Sequence, residues 1–157
     1  MKILGIDPGL SQTGIAIFSQ GEEGFKISWK TLRHKKGNGR LYKYFEALLE
    51  LIQKEKPDKI VIESIFHGPS VETLIKIAEL RGVYLLLAEM KKLPILEFTP
   101  REIKQSVTGS GASSKEQVRF MVKKILGINE QISFDVSDAF AAIICYLNKV
   151  CLNQLRE

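Results

Sequence analysis

Four acidic residues, Asp7, Glu63, Asp135 and Asp138, stand at the ends of apolar runs in a chain that is otherwise basic. Asp7 follows Lys2-Ile3-Leu4-Gly5-Ile6, Glu63 follows Lys59-Ile60-Val61-Ile62, and Asp135 and Asp138 open the last long apolar stretch. Carboxylates gathered in a positively charged protein suggest a divalent-metal site facing a polyanion. Oxygen-only donors favour Mg²⁺, with Mn²⁺ as a substitute, over zinc. Four carboxylates bring enough charge to hold two such ions per subunit, about 4 Å apart across a phosphate, which is a common way to cut a phosphodiester. His34 and His67 are not spaced as part of a histidine metal cluster.

Each acid also has an ordinary structural role open to it. Asp7-Pro8-Gly9 is good turn chemistry. Glu63 could be a strand-end side chain reaching water. Asp-x-x-Asp at a helix start resembles a capping box, in which acids satisfy free amides and the helix dipole. The metal reading differs in explaining all four together. Asp135 and Asp138 are three apart and share a helix face. The first and fourth strand ends meet if the fourth strand enters the sheet beside the first.

The elements that must do this positioning are legible in outline. Residues 2–6, 13–18 and 25–32 read as three strands joined by short loops, hence an antiparallel meander. Gly21-Glu22-Glu23-Gly24 is the second turn. Residues 33–40 form a basic, glycine-containing loop. Leu41, Tyr44, Phe45, Leu48, Leu51 and Ile52 recur at helical spacing over about 39–56, where Pro57 stops the helix. Residues 59–63 are a buried strand, 71–90 a helix, and 93–98 a last short strand. Thr99-Pro100-Arg101-Glu102 is a capping box opening a helix to about 107. A flexible loop is expected over 108–114, then helices over 115–126 and about 135–152. The order implies an α/β fold with a mixed five-stranded sheet flanked by helices.

The chain has 157 residues, 45% hydrophobic and 26% charged, with a net charge of +5. That suits one soluble domain spanning 1–157 and argues against disorder. A positive balance favours polyanionic partners, weakly at this magnitude. Cys145 and Cys151 lack metal or disulfide-framework spacing and read as free thiols in a reducing compartment. The first residues turn acidic and turn-forming too early for a signal peptide, and no apolar run is long enough for a membrane span. A cytoplasmic protein with no membrane partner is the expectation.

A set of motifs then carries a resemblance. Gly5-Ile6-Asp7-Pro8-Gly9 with Thr13-Gly14, Ile62-Glu63-Ser64 with Phe66, and Ala78-Glu79-Leu80-Arg81-Gly82 occur in order. Lys104-Gln105-Ser106-Val107-Thr108-Gly109 with Lys115, and Asp135-Val136-Ser137-Asp138-Ala139, complete the set. Together they resemble the RuvC crossover-junction endodeoxyribonucleases, nearly end to end.

The resemblance implies a ribonuclease H-like fold, a homodimer, and Mg²⁺-dependent nicking of two opposed strands of a four-way DNA junction. The products would carry 5′-phosphate and 3′-hydroxyl ends, in recombination and repair. It implies that Asp7, Glu63, Asp135 and Asp138 are the metal-binding catalytic acids, with Asp7 bridging both ions. It further implies that Phe66 stacks on an unpaired base and that Lys104 and Lys115 approach the scissile phosphate. Junction-binding and branch-migration motor proteins are implied as partners. His67 and Pro69 depart from the family pattern after Phe66. A C2 dimer suits a pseudo-twofold junction, and part of the apolar run Leu85-Leu86-Leu87-Ala88 is either surface for it or buried core, which would read the same in sequence. The competing readings are a ribonuclease H-like enzyme for RNA–DNA hybrids or other branched DNA, and a junction-binding protein that does not cut. An actin-like ATPase would need two lobes, and 157 residues supply one.

Overall fold

The computed structural model describes residues 1–33, 37, 39–65 and 70–154, with side chains as far as Cys151. Strands β1 (Lys2–Asp7), β2 (Gln12–Gly21) and β3 (Gly24–Arg33) form the antiparallel meander, followed by helix α1 (Arg40–Glu55) and strand β4 (Lys59–Glu63). Helix α2 (Val71–Met90), strand β5 (Ile95–Phe98), and helices α3 (Pro100–Thr108), α4 (Lys115–Leu126) and α5 (Phe134–Gln154) complete the chain. The sheet order is β3-β2-β1-β4-β5, with β1, β4 and β5 mutually parallel. The fourth strand thus lies beside the first, as the metal reading required.

Local chemistry sets the boundaries. The β2–β3 hairpin closes on Glu22-Glu23, with Gly24 at φ 117° where a side chain would be strained. β5 starts at Ile95, later than expected. Pro94 has no N–H to give the ladder, and its carbonyl instead accepts from the Ile60 amide at 2.9 Å. The Thr99–Glu102 capping box forms in full, and α4 has a second one from Ser114 and Gln117. The segment 108–114 is held closely. Thr108 Oγ1 donates to the Lys104 carbonyl at 2.8 Å and pairs with Ser113 Oγ at 2.7 Å, and the Gln105 amide bonds Gly109 and Gly111.

Two cores lie on opposite sheet faces. Ile3, Ala16, Phe18 and Val61 point towards α3, α4 and α5. Leu4, Ile6, Ile15, Ile17, Ile60 and Ile62 point towards α1 and α2. Strand alternation therefore assigns every side chain on β1 and β4 to one face or the other. Among the described residues no helix is long and apolar enough to cross a membrane.

Candidate active site

In the parallel β1–β4 pair Ile6 aligns with Ile62, so Asp7 and Glu63 follow at equivalent positions at the same end of neighbouring strands. Their odd-numbered neighbours Ile3 and Val61 face α5, and alternation puts both acids on that face too. Asp135 and Asp138 lie in the first turns of α5, which crosses the same face.

Two glycines let the helix come close enough. A Cβ on Gly5 would lie 2.4 Å from the Ala139 carbonyl oxygen, and one on Gly14 would lie 2.1 Å from that of Asp135. Gly14 is also the antiparallel partner of Asp7. The first turn of α5 is therefore seated on the strand next to Asp7, with backbone against backbone.

The electrostatics agree that the four acids form one group. Burial, then the charges of Asp138, Glu63 and Asp135, push the Asp7 carboxyl well above its ordinary range. Burial and Asp138 push Glu63 up to about 7. Asp138 is raised by burial first, with Asp135 adding to it and Lys115 opposing.

The capping alternative is answered by Ser133. Its Oγ accepts from the Val136 amide at 3.3 Å and its carbonyl from the Ser137 amide at 3.0 Å, so the helix start is satisfied from outside the acidic pair. Asp135 instead accepts a hydrogen bond from the Gln12 side-chain amide, whose oxygen accepts from Arg33 Nε at 3.1 Å. Asp138 pairs with Lys115 Nζ at 3.4 Å.

Of the two lysines expected near the site, Lys115 is the closer to charge. Burial works against its ammonium, but Asp138, Asp7 and Glu63 outweigh it and its pKa is raised. Lys104 is near enough to lower the pKa values of Glu63 and Asp138. Phe66, like His67 and Pro69, lies outside the described residues, as do residues 34–36 and 38 of the basic loop.

Three participants carry little sequence signal. Gln12 sits in an unremarkable Ser-Gln-Thr triplet, and Ser133 is one polar residue among several before α5. Arg81 donates to the backbone carbonyl of Glu63 at 3.1 Å. It falls within the motif at 78–82 that carries the resemblance, but nothing in that motif names its partner.

The donor set is hard oxygen throughout, and burial with mutual repulsion gives it a standing affinity for positive charge. Among the described residues no three His, Cys, Asp or Glu side chains close into a ready-formed metal cage. Oxygen donors of this kind suit a hard divalent cation.

A five-stranded mixed sheet in the order β3-β2-β1-β4-β5 with helices on both faces is the ribonuclease H-like fold. Two solved structures share it: Thermus thermophilus RuvC, at TM-score 0.84 and 24% identity over 98% of this chain and 97% of that one, and T. thermophilus RuvC in complex with Holliday junction substrate, at TM-score 0.87 and 23% identity over 98% and 96%. The chain belongs to the RuvC family: the model of the crossover junction endodeoxyribonuclease RuvC matches residues 3–146. The RuvC of Syntrophomonas wolfei subsp. wolfei is 37% identical, covering 100% of this chain and 94% of that protein. The RuvC of Chlorobium phaeovibrioides is 39% identical, covering 94% and 81%. Membership implies an endonuclease that depends on a divalent metal ion.

Proposed function

We propose that this protein resolves four-way DNA junctions by nicking two opposed strands, with Asp7, Glu63, Asp135 and Asp138 as the metal-binding acids. The observation that carries the reading is the placement of Asp7 and Glu63 on adjacent strand ends with the start of α5 set against them. It is supported by membership of a crossover junction endodeoxyribonuclease family.

In each nick water attacks phosphorus and the P–O3′ bond breaks. The phosphate stays on the 5′ end, and the departing 3′ oxygen takes a proton. Bound Mg²⁺ or Mn²⁺, two ions per subunit, would supply Lewis acidity to the attacking water, the phosphate and the leaving oxygen. Asp7, whose carboxyl is raised by burial and then by all three other acids, would be among the residues that hold the metal. Lys115 is more than half exposed while touching Asp138, so it can turn towards a phosphate without leaving the site. Lys104 adds a second positive charge on the same side. Phe66 follows Glu63 by three residues and is assigned to stacking on an unpaired base, a contact worth about 1–3 kcal/mol.

Two sites are needed for two opposed cuts, and a homodimer supplies them. The outer face of α2 is its candidate interface: Val71, Ile75, Leu86 and Met90 are all exposed, at 74, 54, 56 and 62%. They fall on one stripe at helical spacing. Residues 1–157 are then a single nuclease domain working as half of a symmetric pair in the cytoplasm, alongside junction-binding and branch-migration proteins.

The test is a synthetic four-way junction offered beside a linear duplex and an RNA–DNA hybrid, in Mg²⁺. The reading expects paired, symmetric nicks in the junction with ligatable ends. Preferential cutting of the hybrid, or binding of the junction without nicks, would replace it.

A further inference from the structure

We propose that Arg81 is a positioning residue for nicking: from the opposite face of the sheet, it fixes the backbone at Glu63 and so the direction in which that carboxylate enters the metal site. The inference rests on the assignment of Glu63 to that site.

Arg81 is on α2, which packs against the sheet face away from α5, and it is 8% exposed. A guanidinium buried to that degree needs partners for its charge and for its fork of donors. Both are present. Nη2 pairs with the carboxylate of Glu97 on β5, and Nη1 donates to the Glu63 carbonyl at 3.1 Å. The Glu97 carboxylate takes up the charge, leaving the second arm of a rigid fork aimed at the end of β4.

That end needs holding. Glu63 is the last residue of β4, so the ladder that orders its neighbours stops there. Beyond it, the Ser64 amide reaches the Phe98 carbonyl at 2.9 Å and Ser64 Oγ the same oxygen at 3.3 Å. Arg81 supplies the tie on the other side. Because strand side chains alternate, a donor on the α2 face meets the Glu63 backbone while the carboxylate points to the α5 face. Arg81 therefore acts on where the carboxylate stands and leaves its oxygens free for a cation. The next turn of the same α2 surface reinforces the arrangement, since Tyr84 Oη also bonds buried Thr13 on β2 at 2.8 Å.

The test compares wild type with Arg81→Met, Arg81→Lys, Glu97→Gln and Glu63→Gln. Three quantities are read: single-turnover nicking rate, junction affinity in EDTA, and the Mg²⁺ concentration that half-saturates the rise in melting temperature. Arg81→Met is expected to slow nicking about tenfold or more and raise the Mg²⁺ midpoint severalfold, with junction affinity within twofold. Arg81→Lys, keeping charge but losing the fork, should recover part of both. If Arg81→Met does not fold, Glu97→Gln, which loosens the anchor at a partly exposed acid, should shift the Mg²⁺ midpoint the same way by less. Wild-type rate and midpoint in Arg81→Met, or in Glu97→Gln where it stands in, would overturn the proposal. So would a loss of rate with the Mg²⁺ midpoint unmoved. Glu63→Gln separates the two layers: if it nicks normally, the site assignment falls and this inference with it. If it is inactive while Arg81→Met is normal, only the role of Arg81 falls.

Discussion

Gly14 and Asp135 meet backbone to backbone: a Cβ added to the glycine would stand 2.1 Å from the aspartate's carbonyl oxygen and 2.7 Å from the Val136 nitrogen. Nothing flexible is available to yield there, because the obstructing atoms belong to the first turn of α5. Gly14→Ala should therefore displace that turn, at a cost of about 1–3 kcal/mol by overpacking. It should also separate Asp135 and Asp138 from Asp7. A fall in melting temperature together with a large loss of nicking is expected. An alanine variant as stable and active as wild type would mean that α5 does not need this seat.

The mutual repulsion of the acids has a sign that can be measured without DNA. Glu63 stands near 7 and Asp7 well above its ordinary value, both through burial first and neighbouring carboxylates second. The folded protein thus holds protons that the unfolded chain releases from about pH 4.5 upwards. In EDTA, stability should fall as pH rises through about 4.5 to 7. Glu102, lowered to about 2 by Lys149 and Thr99, acts with the opposite sign only below that window. Melting curves at pH 5.5 and 8 check this, and Glu63→Gln should flatten the difference. A melting temperature that climbs with pH would contradict it.

Divalent ions should relieve the same repulsion. At pH 8, Mg²⁺ at about a hundred times its dissociation constant should add about 2.7 kcal/mol to stability. Asp7→Asn should reduce this increment and, without metal, be more stable than wild type. Chelation should stop nicking and leave junction binding at least partly intact. An unchanged nicking rate in EDTA would remove the metal from the account.

Lys115 touches Asp138 at 3.4 Å with most of its side chain in water. Lys115→Gln should weaken junction binding and reduce the slope of log affinity against log salt by about one, as loss of one phosphate contact requires. It should also slow nicking. A salt slope identical to wild type would place Lys115 outside the DNA contacts.

On α2, a charge introduced at Ile75 or Leu86 should leave the fold intact, since both side chains are exposed. Ile75→Asp and Leu86→Glu are expected to shift sedimentation towards monomer and to convert paired junction cuts into single nicks. Undisturbed dimers in both variants would move the interface elsewhere.

Much of this fold was legible because punctuation and periodicity coincide. The bounds of β4, α2 and α4 follow from Pro57, Ser70 and Ser114 placed directly before or near apolar patterns. Where the pattern is polar, reading falls short. β2 runs on through Ser19, Gln20 and Gly21 because the hairpin ladder continues to its turn, although no apolar residue marks it. The loop at 108–114 looks mobile from its glycines and serines, yet Thr108 and Gln105 tie it down. The acids themselves could be picked out as strand-end and helix-start residues. Their convergence depends on β4 pairing with β1 and on α5 crossing Gly5 and Gly14, which are long-range facts. Gln12 escaped, and Arg81 was legible only as part of a motif, because a hydrogen bond across the fold leaves no local trace.

The central claim is that Asp7, Glu63, Asp135 and Asp138 form one metal-dependent cutting centre. Its most direct test is single-turnover nicking of a synthetic junction by the four single carboxamide variants, at protein concentrations that saturate binding measured in EDTA. Each variant is expected to bind within a few-fold of wild type and to nick at least about a hundredfold more slowly, the scale of losing one preorganised electrostatic group. Wild-type nicking by any one of them would show that the residue stands near the centre without belonging to it, and wild-type nicking by Asp7→Asn would end the claim.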